Sequence, residues 1–450
     1  MKRKVIAVLL TSMMTLGLVA CGGGSSDGGS DANASDGGSE ESSSSEDSGS
    51  SAASGDTIRL VNGKIEIDAQ LKKLAEMYKE ETGVTVEIES MGGGIDIQGT
   101  LKGYYQAGNM PDIFVNGGAT DFANWEGMLE DMSGEAWASD TDAAYVDANG
   151  TIGFPYTVEA VGLAYNADIL EKAGIDPATL TGPDAIKTAF ETLDSKKADL
   201  GIDAVVGYCA EATNLYWSTG NHVFANYIDG GLDREDTTYI DMLNDGGKLD
   251  EARLTDFANF VGLLNQYSDP ALLVSGTYDQ QILNFASGKY AFVTQGSWIG
   301  ATMTTADADA YAAAGNFKVG MIPYAFQDGM DTILTNSPSW WAVFSDGNKD
   351  AAKAFLQWCS ESTAQQVLVE EAGFISPFKS CTYVASDPFA QTIIDYQTAG
   401  KTSAWHWLGM KEGLAQNFTG QVFNDYAAGR LDAEGFVKTM QQVVQACYAN

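Results

Sequence analysis

Between Ile58 and Val115, apolar runs alternate with amphipathic stretches, and this alternation constrains the fold more than any other feature of the chain. Ile58-Arg59-Leu60-Val61 reads as a buried strand closed by the turn signal Asn62-Gly63. Leu71, Leu74, Ala75 and Tyr78 follow at the spacing of one helix face, and Gly83 marks the helix end. Val84, Val86 and Ile88 alternate as a strand does, Leu101 to Ala107 reads as a second helix, and Pro111-Asp112 leads into the apolar run Ile113-Phe114-Val115. This β-α-β-α-β order predicts a mostly parallel sheet with helices on its faces. Ligands of such sheets bind beyond the carboxyl ends of the strands. From Ala167 to Ser287 helix signals dominate around one buried strand, Ala204 to Tyr208. Tyr290–Val293 and Ala342–Phe344 read as further strands, and no internal repeat is visible. Ala351, Ala354, Phe355 and Trp358 have helical spacing behind Asp350, and Phe436, Met440, Val443 and Val444 form the stripe of a C-terminal helix.

Residues 1–20 read as a signal peptide. Lys2, Arg3 and Lys4 precede the uncharged apolar run Val5 to Ala20, which is too short and wrongly flanked for a membrane span. Leu18-Val19-Ala20-Cys21 looks like the bacterial lipobox, which makes Cys21 the candidate lipidation site. Two or three acyl chains there would give stable anchoring. Residues 21–56 are a tether of Gly, Ser, Asp, Glu, Ala and Asn after Cys21, without aromatic or basic residues. Such a composition cannot bury enough apolar surface to offset its ordering entropy, and the segment is expected to be disordered. As a flexible coil it would span roughly 30–35 Å.

The body, Thr57 to Asn450, is too long for one small domain and fits two lobes. Without the signal, 22 basic residues stand against 61 acidic ones, a net charge of −39. That excludes nucleic acid and anionic lipid surfaces as partners and disfavours phosphate or carboxylate ligands. Cys209, Cys359, Cys381 and Cys447 show no compact disulfide framework and read as mostly buried free thiols, with Cys359–Cys381 the pair closest to a bridge. With only two histidines, His222 and His406, and no cluster at metal spacing, neither a metal nor a cofactor is expected. Gly92-Gly93-Gly94 lacks the Gly-Lys-Ser/Thr of a phosphate cradle and reads as flexible chain near a cleft.

Four segments together resemble the extracellular solute-binding proteins of ABC importers, in particular the sugar-binding group that includes maltose-binding protein. They are Ile58–Glu89, with its Asn62-Gly63 turn and Thr82-Gly83-Val84-Thr85-Val86; Ala107-Gly108-Asn109-Met110-Pro111-Asp112-Ile113 with Gly127-Met128-Leu129-Glu130-Asp131; Gly153–Ala160 running into Leu163-Ala164-Tyr165-Asn166 and Ala173-Gly174-Ile175; and Phe285–Lys289 through Gly296-Ser297-Trp298 to Val319–Pro323. The resemblance covers nearly all of the body. It implies an α/β, two-lobed periplasmic-binding-protein-like fold of type II, each lobe a mostly parallel sheet flanked by helices, with the ligand in the cleft between lobes. It assigns residues 57–158 and 289–332 to the N-terminal lobe, and 159–288 and 333–450 to the C-terminal lobe. Hinge crossings are expected near Tyr156–Val161, Ser287–Tyr290 and Asp331–Ser337.

A sugar offers apolar C–H faces and hydroxyl edges, so its site needs flat aromatic rings and a few directional polar groups. Nine Trp and nineteen Tyr supply the rings. The resemblance points to Trp298 in Gly-x-Trp as a stacking residue, to Tyr216 or Trp217 after Cys209-Ala210-Glu211, and to Trp405 or Trp407 in the late aromatic cluster. Trp340 and Trp341 are neighbours that point apart in a strand, so one belongs to the core and Trp340 is the ligand candidate. Glu159 matches a hinge glutamate that accepts sugar hydroxyls, Tyr156 precedes it, and Lys64 lies in the loop after the first strand. Asn116 and Asp121 follow strand Ile113–Val115, and Trp125 packs near that loop. Phe122 stands after Asp121 where the maltose site has arginine, which argues against maltose itself; Pro177-Ala178-Thr179-Leu180 departs from the family only at a surface turn.

The expected activity is capture of a carbohydrate, most readily an oligosaccharide, by a lipid-anchored monomer. The protein would sit on the outer face of the cytoplasmic membrane and deliver its ligand to a permease. A polyamine or peptide on the same fold is the alternative, since acidity and aromatic rings suit cations. A surface glycoside hydrolase would need two carboxylates placed across a bond, and no motif for one stands out. No enzymatic activity is expected.

Overall fold

The computed structural model describes residues 55–92 and 95–449. The signal segment, Cys21 and nearly all of the tether lie outside the described residues, as do Gly93 and Gly94.

The first lobe is built on a sheet of six strands, in the order Thr85–Ser90, Thr57–Asn62, Ile113–Asn116, Trp340–Val343, Gly150–Pro155 and Tyr145–Asp147. The first three pair in parallel, as the alternation predicts. Trp340–Val343 enters from far along the chain and runs antiparallel to both neighbours, and Tyr145–Asp147 and Gly150–Pro155 form an antiparallel hairpin. Helix Asp68–Thr82 buries Leu71, Leu74, Ala75 and Tyr78. Tyr78 meets Phe355 and Trp358 of helix Lys349–Cys359, with ring centroids 5.1 and 5.2 Å apart. Helix Ile97–Gln106 starts where Asp96 accepts the Gly99 N–H at 2.8 Å, satisfying an otherwise open donor.

The second lobe carries a sheet of four strands, Val319–Ile322, Leu163–Asn166, Tyr290–Val293 and Ala204–Gly207. Only the last two pair in parallel. Helices Pro183–Ser195, Glu251–Tyr267 and Ala433–Ala449 enclose it, and Phe190, Leu254, Phe257, Val261 and Met440 share one core. Glu159–Val161, Ile333–Asn336 and Thr402–Ser403 form a small sheet between the lobes, with Asn336 opposite Glu159.

Strand pairing changes the expected lobe boundaries. Tyr290–Val293 and Val319–Ile322, expected in the N-terminal lobe, belong to the second sheet. Trp340–Val343 and helix Lys349–Cys359, expected in the C-terminal lobe, pack into the first. The chain therefore does not cross at Ser287–Tyr290: helix Tyr278–Ala286 and the strand after it both pack in the second lobe, where Ile282, Phe285 and Tyr290 share a core. It crosses at residues 156–162, at 333–339, and a third time between Phe378 in the first core and Phe389 in the second. Just ahead of the third crossing, the Ile375 carbonyl accepts from the Val158 N–H of the first crossing at 2.9 Å. Cys209, Cys359, Cys381 and Cys447 are unpaired thiols.

Candidate functional site

On the first lobe, parallel strands end side by side and present Asn62 and Asn116 at their carboxyl ends. The Asn62 amide donates to the Lys64 carbonyl at 2.7 Å and to Ser90 Oγ at 3.3 Å, which shapes the loop that carries Lys64. Lys64 Nζ lies 2.5 Å from Glu159 Oε1, so the loop after the first strand is tied to the first crossing strand. Asn116 Oδ1 accepts from Gln98 Nε2 at 3.3 Å, and Gln98 Oε1 accepts from Trp125 Nε1 at 2.9 Å. Asn62 Oδ1 and Asn116 Nδ2 are buried without a partner. Asp121 accepts the Gly117 N–H at 2.7 Å; burial raises its pKa, and Glu412 adds to the rise.

On the second lobe, strand Tyr290–Val293 runs into Thr294-Gln295-Gly296-Ser297-Trp298. A Cβ on Gly296 would come within 1.9 Å of the Trp298 ring, so glycine allows the indole to fold back over the backbone. Trp298 Nε1 donates to Gln295 Oε1 at 3.2 Å, and Gln295 Nε2 donates to Gln281 Oε1 at 2.9 Å and Ser218 Oγ at 3.0 Å. This chain of amides sets the ring's orientation. Ser297 Oγ accepts from the Ala160 N–H at 3.0 Å and so fastens the segment to the first crossing strand.

His222 stands at the centre of an aromatic cluster. Its ring centroid is 4.7 Å from Trp298, 5.2 Å from Trp407, 5.5 Å from Trp217 and 6.3 Å from Trp405. Trp217 leads into the π-helical stretch Ser218–Val223, in which residues five apart line up, and π-helical turns are frequent at functional sites. Enclosure in this apolar surround pushes the His222 pKa down to about 3, so the imidazole is neutral at physiological pH. Among the described residues its Nδ1 is buried without a hydrogen-bond partner, as are Nε1 of Trp405 and Nε1 of Trp407.

Both of those tryptophans flank His406, whose Nδ1 lies 2.7 Å from Oδ1 of the buried Asp229. The hydrogen bond to Asp229 raises the His406 pKa, and the pair pins the loop. The next turn, His406–Gly409, docks on the first lobe. Gly118 has φ +150°, and a Cβ there would sit 3.1 Å from the Leu408 carbonyl oxygen, so the close approach requires glycine. Asp121, Tyr216, Trp407 and Glu412 line a cavity of about 330 Å³ beside this contact. Lys64, Glu159, Trp298, Phe374 and Asp387 line a smaller one of about 30 Å³ on the hinge side. Burial first, and Glu159 second, push the Asp387 pKa up to about 7.

The structure brings Trp217, Trp298, Trp405 and Trp407 together and places Lys64 against Glu159. Tyr216 makes no ring contact with that cluster among the described residues, but lines the larger cavity with Asp121 and Trp407. Two expected residues belong to the core instead. Tyr156 is 1% exposed, stacks on Trp341 at 4.6 Å and hydrogen-bonds through its hydroxyl to Ser339 Oγ. Trp340 is 3% exposed, packs on Tyr145 and Phe122, and donates Nε1 to the Ala143 carbonyl at 2.6 Å. Trp340 and Trp341 do point apart, but both faces of their strand are covered, so neither ring reaches a cleft. His222, Asn62 and Asp387 did not emerge as site residues from the sequence. The one available signal was a rare histidine five residues after Trp217.

Comparison with known proteins agrees with this architecture. The chain is 24% identical over 320 residues to the xylose/arabinose-binding protein XacG of Haloferax volcanii. The match covers 64% of each protein, so the chain spans less than two thirds of that relative's length. Its fold is shared with the solute-binding protein RafE in complex with raffinose (TM-score 0.68, 19% identity, 87% of this chain and 99% of that one). It is also shared with the binding protein msme of Bacillus subtilis in an open conformation (TM-score 0.67, 19% identity, 88% and 98%). Residues 73–394, well over half the chain, match the bacterial extracellular solute-binding protein family, and the chain belongs to it.

Proposed function

We propose that this protein captures an uncharged carbohydrate, an oligosaccharide, between its two lobes and hands it to the membrane permease of an ABC importer. It would work as a monomer held outside the cytoplasmic membrane by lipid on Cys21. The observation that carries the reading is the aromatic cluster around neutral His222 with its unpartnered polar atoms. Trp405 Nε1, Trp407 Nε1 and Asn116 Nδ2 are donors, whereas Asn62 Oδ1 is an acceptor. A hydroxyl both accepts and donates, so a polyol can satisfy all of them. An alkylammonium ion only donates and would leave the indole N–H groups open, each at a cost of about 1–3 kcal/mol. Lys64 already neutralises Glu159 beside Trp298, which further disfavours a cation box.

In this reading Trp298 stacks on a pyranose face, Trp217 and Trp407 complete the platform, the buried Trp405 backs it, and His222 meets a hydroxyl. Lys64 and Glu159 grip one end of the ligand, while Asn116, Asp121 and Tyr216 serve its other end. The lobes close as a population shift favoured by bound ligand, and the ligand leaves unchanged. The relative XacG is named for xylose and arabinose and the RafE structure holds raffinose, which supports the substrate class. The test is a thermal-shift screen of residues 57–450 against mono- and oligosaccharides, polyamines and peptides, with product analysis of each hit. A saccharide that stabilises the protein and is recovered intact supports the proposal. Stabilisation by polyamines or peptides alone, or cleavage of the saccharide, overturns it.

A further inference from the structure

A second cavity, of about 370 Å³, lies where the lobes meet the crossing strands. Asp142 and Lys379 line it from the first lobe, Thr335 from a crossing strand, and Arg234, Gln397 and Thr402 from the second lobe side. It shares only Val158 with the cavity at Lys64, Glu159 and Trp298. Arg234 is the group that calls for explanation. Its Nη1 donates to the Thr335 carbonyl at 3.0 Å, to Thr335 Oγ1 at 2.9 Å and to the Ser403 carbonyl at 3.2 Å. Every one of these acceptors is neutral. Among the described residues, Arg234 takes part in no ion pair, and its Nε and Nη2 donate to no protein acceptor.

The one carboxylate among these lining residues, Asp142, is occupied: Lys379 Nζ lies 2.6 Å from its Oδ1. Glu235, Asp229 and Asp142 favour the charged guanidinium from beyond contact distance, and none of them caps it; its open Nε–Nη2 edge has the planar, two-donor geometry that matches a carboxylate. Gln397, exposed on helix Ala390–Thr398, adds a side-chain amide to the lining with no hydrogen-bond partner among the described residues. The volume falls within the lower range of small-molecule sites.

We propose that this cavity is a second ligand site, for a small carboxylate held bidentately by Arg234, separate from the site between the aromatic rings. The strongly acidic surface makes such a pocket a local exception, and its walls, drawn from both lobes, place the ligand where lobe movement is felt.

The test is isothermal titration of the protein with citrate at ionic strength held constant with sodium chloride. Saturable binding at one site is expected. Arg234→Gln should weaken it at least tenfold, but this variant also removes the bonds to Thr335 and Ser403. Gln397→Glu leaves those bonds in place and adds a negative charge to the cavity lining, so it should weaken citrate binding at least tenfold while the protein keeps its melting temperature. Absence of saturable binding to the wild-type protein overturns the proposal, as does wild-type affinity in Gln397→Glu. Citrate affinity that falls without limit as a saccharide is raised, the mark of one shared site, would equally overturn it. Failure of every saccharide to bind, with citrate binding intact, would affect only the oligosaccharide reading.

Discussion

Trp298 owes its position to three neighbours rather than to its own hydrophobicity: Gly296 makes room for the ring, Gln295 orients its N–H, and His222 packs against its face. If a sugar stacks there, Trp298→Ala removes a large flat contact surface. Affinity should fall by about 1–3 kcal/mol, roughly 5- to 150-fold, with the circular dichroism spectrum unchanged. Unaltered affinity in titration calorimetry would remove Trp298 from the site. His222 gives a second prediction, in stability. Its pKa lies near 3 in the folded protein and near 6.5 in the unfolded chain, so between these values the unfolded chain binds more protons. The stability this group contributes is complete above pH 6.5 and declines as pH falls toward 3. At pH 4 the loss is on the order of 2–3 kcal/mol. His222→Phe should therefore lose less stability than the wild type between pH 7 and pH 4 in urea melts, and parallel curves would contradict the neutral imidazole.

Among the elements, the π-helical stretch Ser218–Val223 and the loop around His406 decide which rings meet. An α-helical reading of the same residues would turn His222 away from Trp217, which is why spacing alone did not single it out. The His406 loop depends on Asp229, a buried carboxylate whose pKa burial raises and whose partner is the imidazole. Asp229→Asn should cost about 1–3 kcal/mol of stability and bring the His406 pKa back toward its ordinary value in an NMR titration. It should also weaken saccharide binding, because Trp405 and Trp407 lose their anchor. A His406 pKa that stays high in this variant would mean another group holds the loop. The same logic explains Trp340 and Tyr156. Each was legible as an aromatic residue near a hinge, but the direction of its ring was set by strands and helices distant in sequence.

For the whole molecule, the excess of acidic residues sets what kind of ligand is compatible with which salt response. An uncharged saccharide should bind with nearly the same affinity at 50 and 500 mM sodium chloride, because no long-range attraction is being screened. A cationic ligand would weaken steeply over that range, and such a result in calorimetry would count against the carbohydrate reading. The proposed lipid attachment is likewise tested on the full chain. Cys21→Ser should shift the protein from the membrane fraction to the medium or periplasm in cell fractionation. Retention on the membrane would refute lipid on Cys21.

The sequence by itself determined the opening strands and helices, since Leu71, Leu74, Ala75 and Tyr78, or Ile113 to Val115, carry periodicities that only one local conformation can bury. It also determined the family, through four ordered segments, and the identity of the aromatic residues that form the cluster. Only the tertiary structure decided how the lobes divide the chain, because strand Tyr290–Val293 finds its hydrogen-bond partners in Ala204–Gly207 and Leu163–Asn166, and Trp340–Val343 finds its own beside Ile113–Asn116. Such pairings are made between residues tens to hundreds of positions apart, and local patterning carries no record of them. The same holds for the unpartnered atoms of Asn62, Asn116, His222, Trp405 and Trp407: a side chain's type is written in the sequence, but whether its polar atom is left without a partner depends on everything that packs around it.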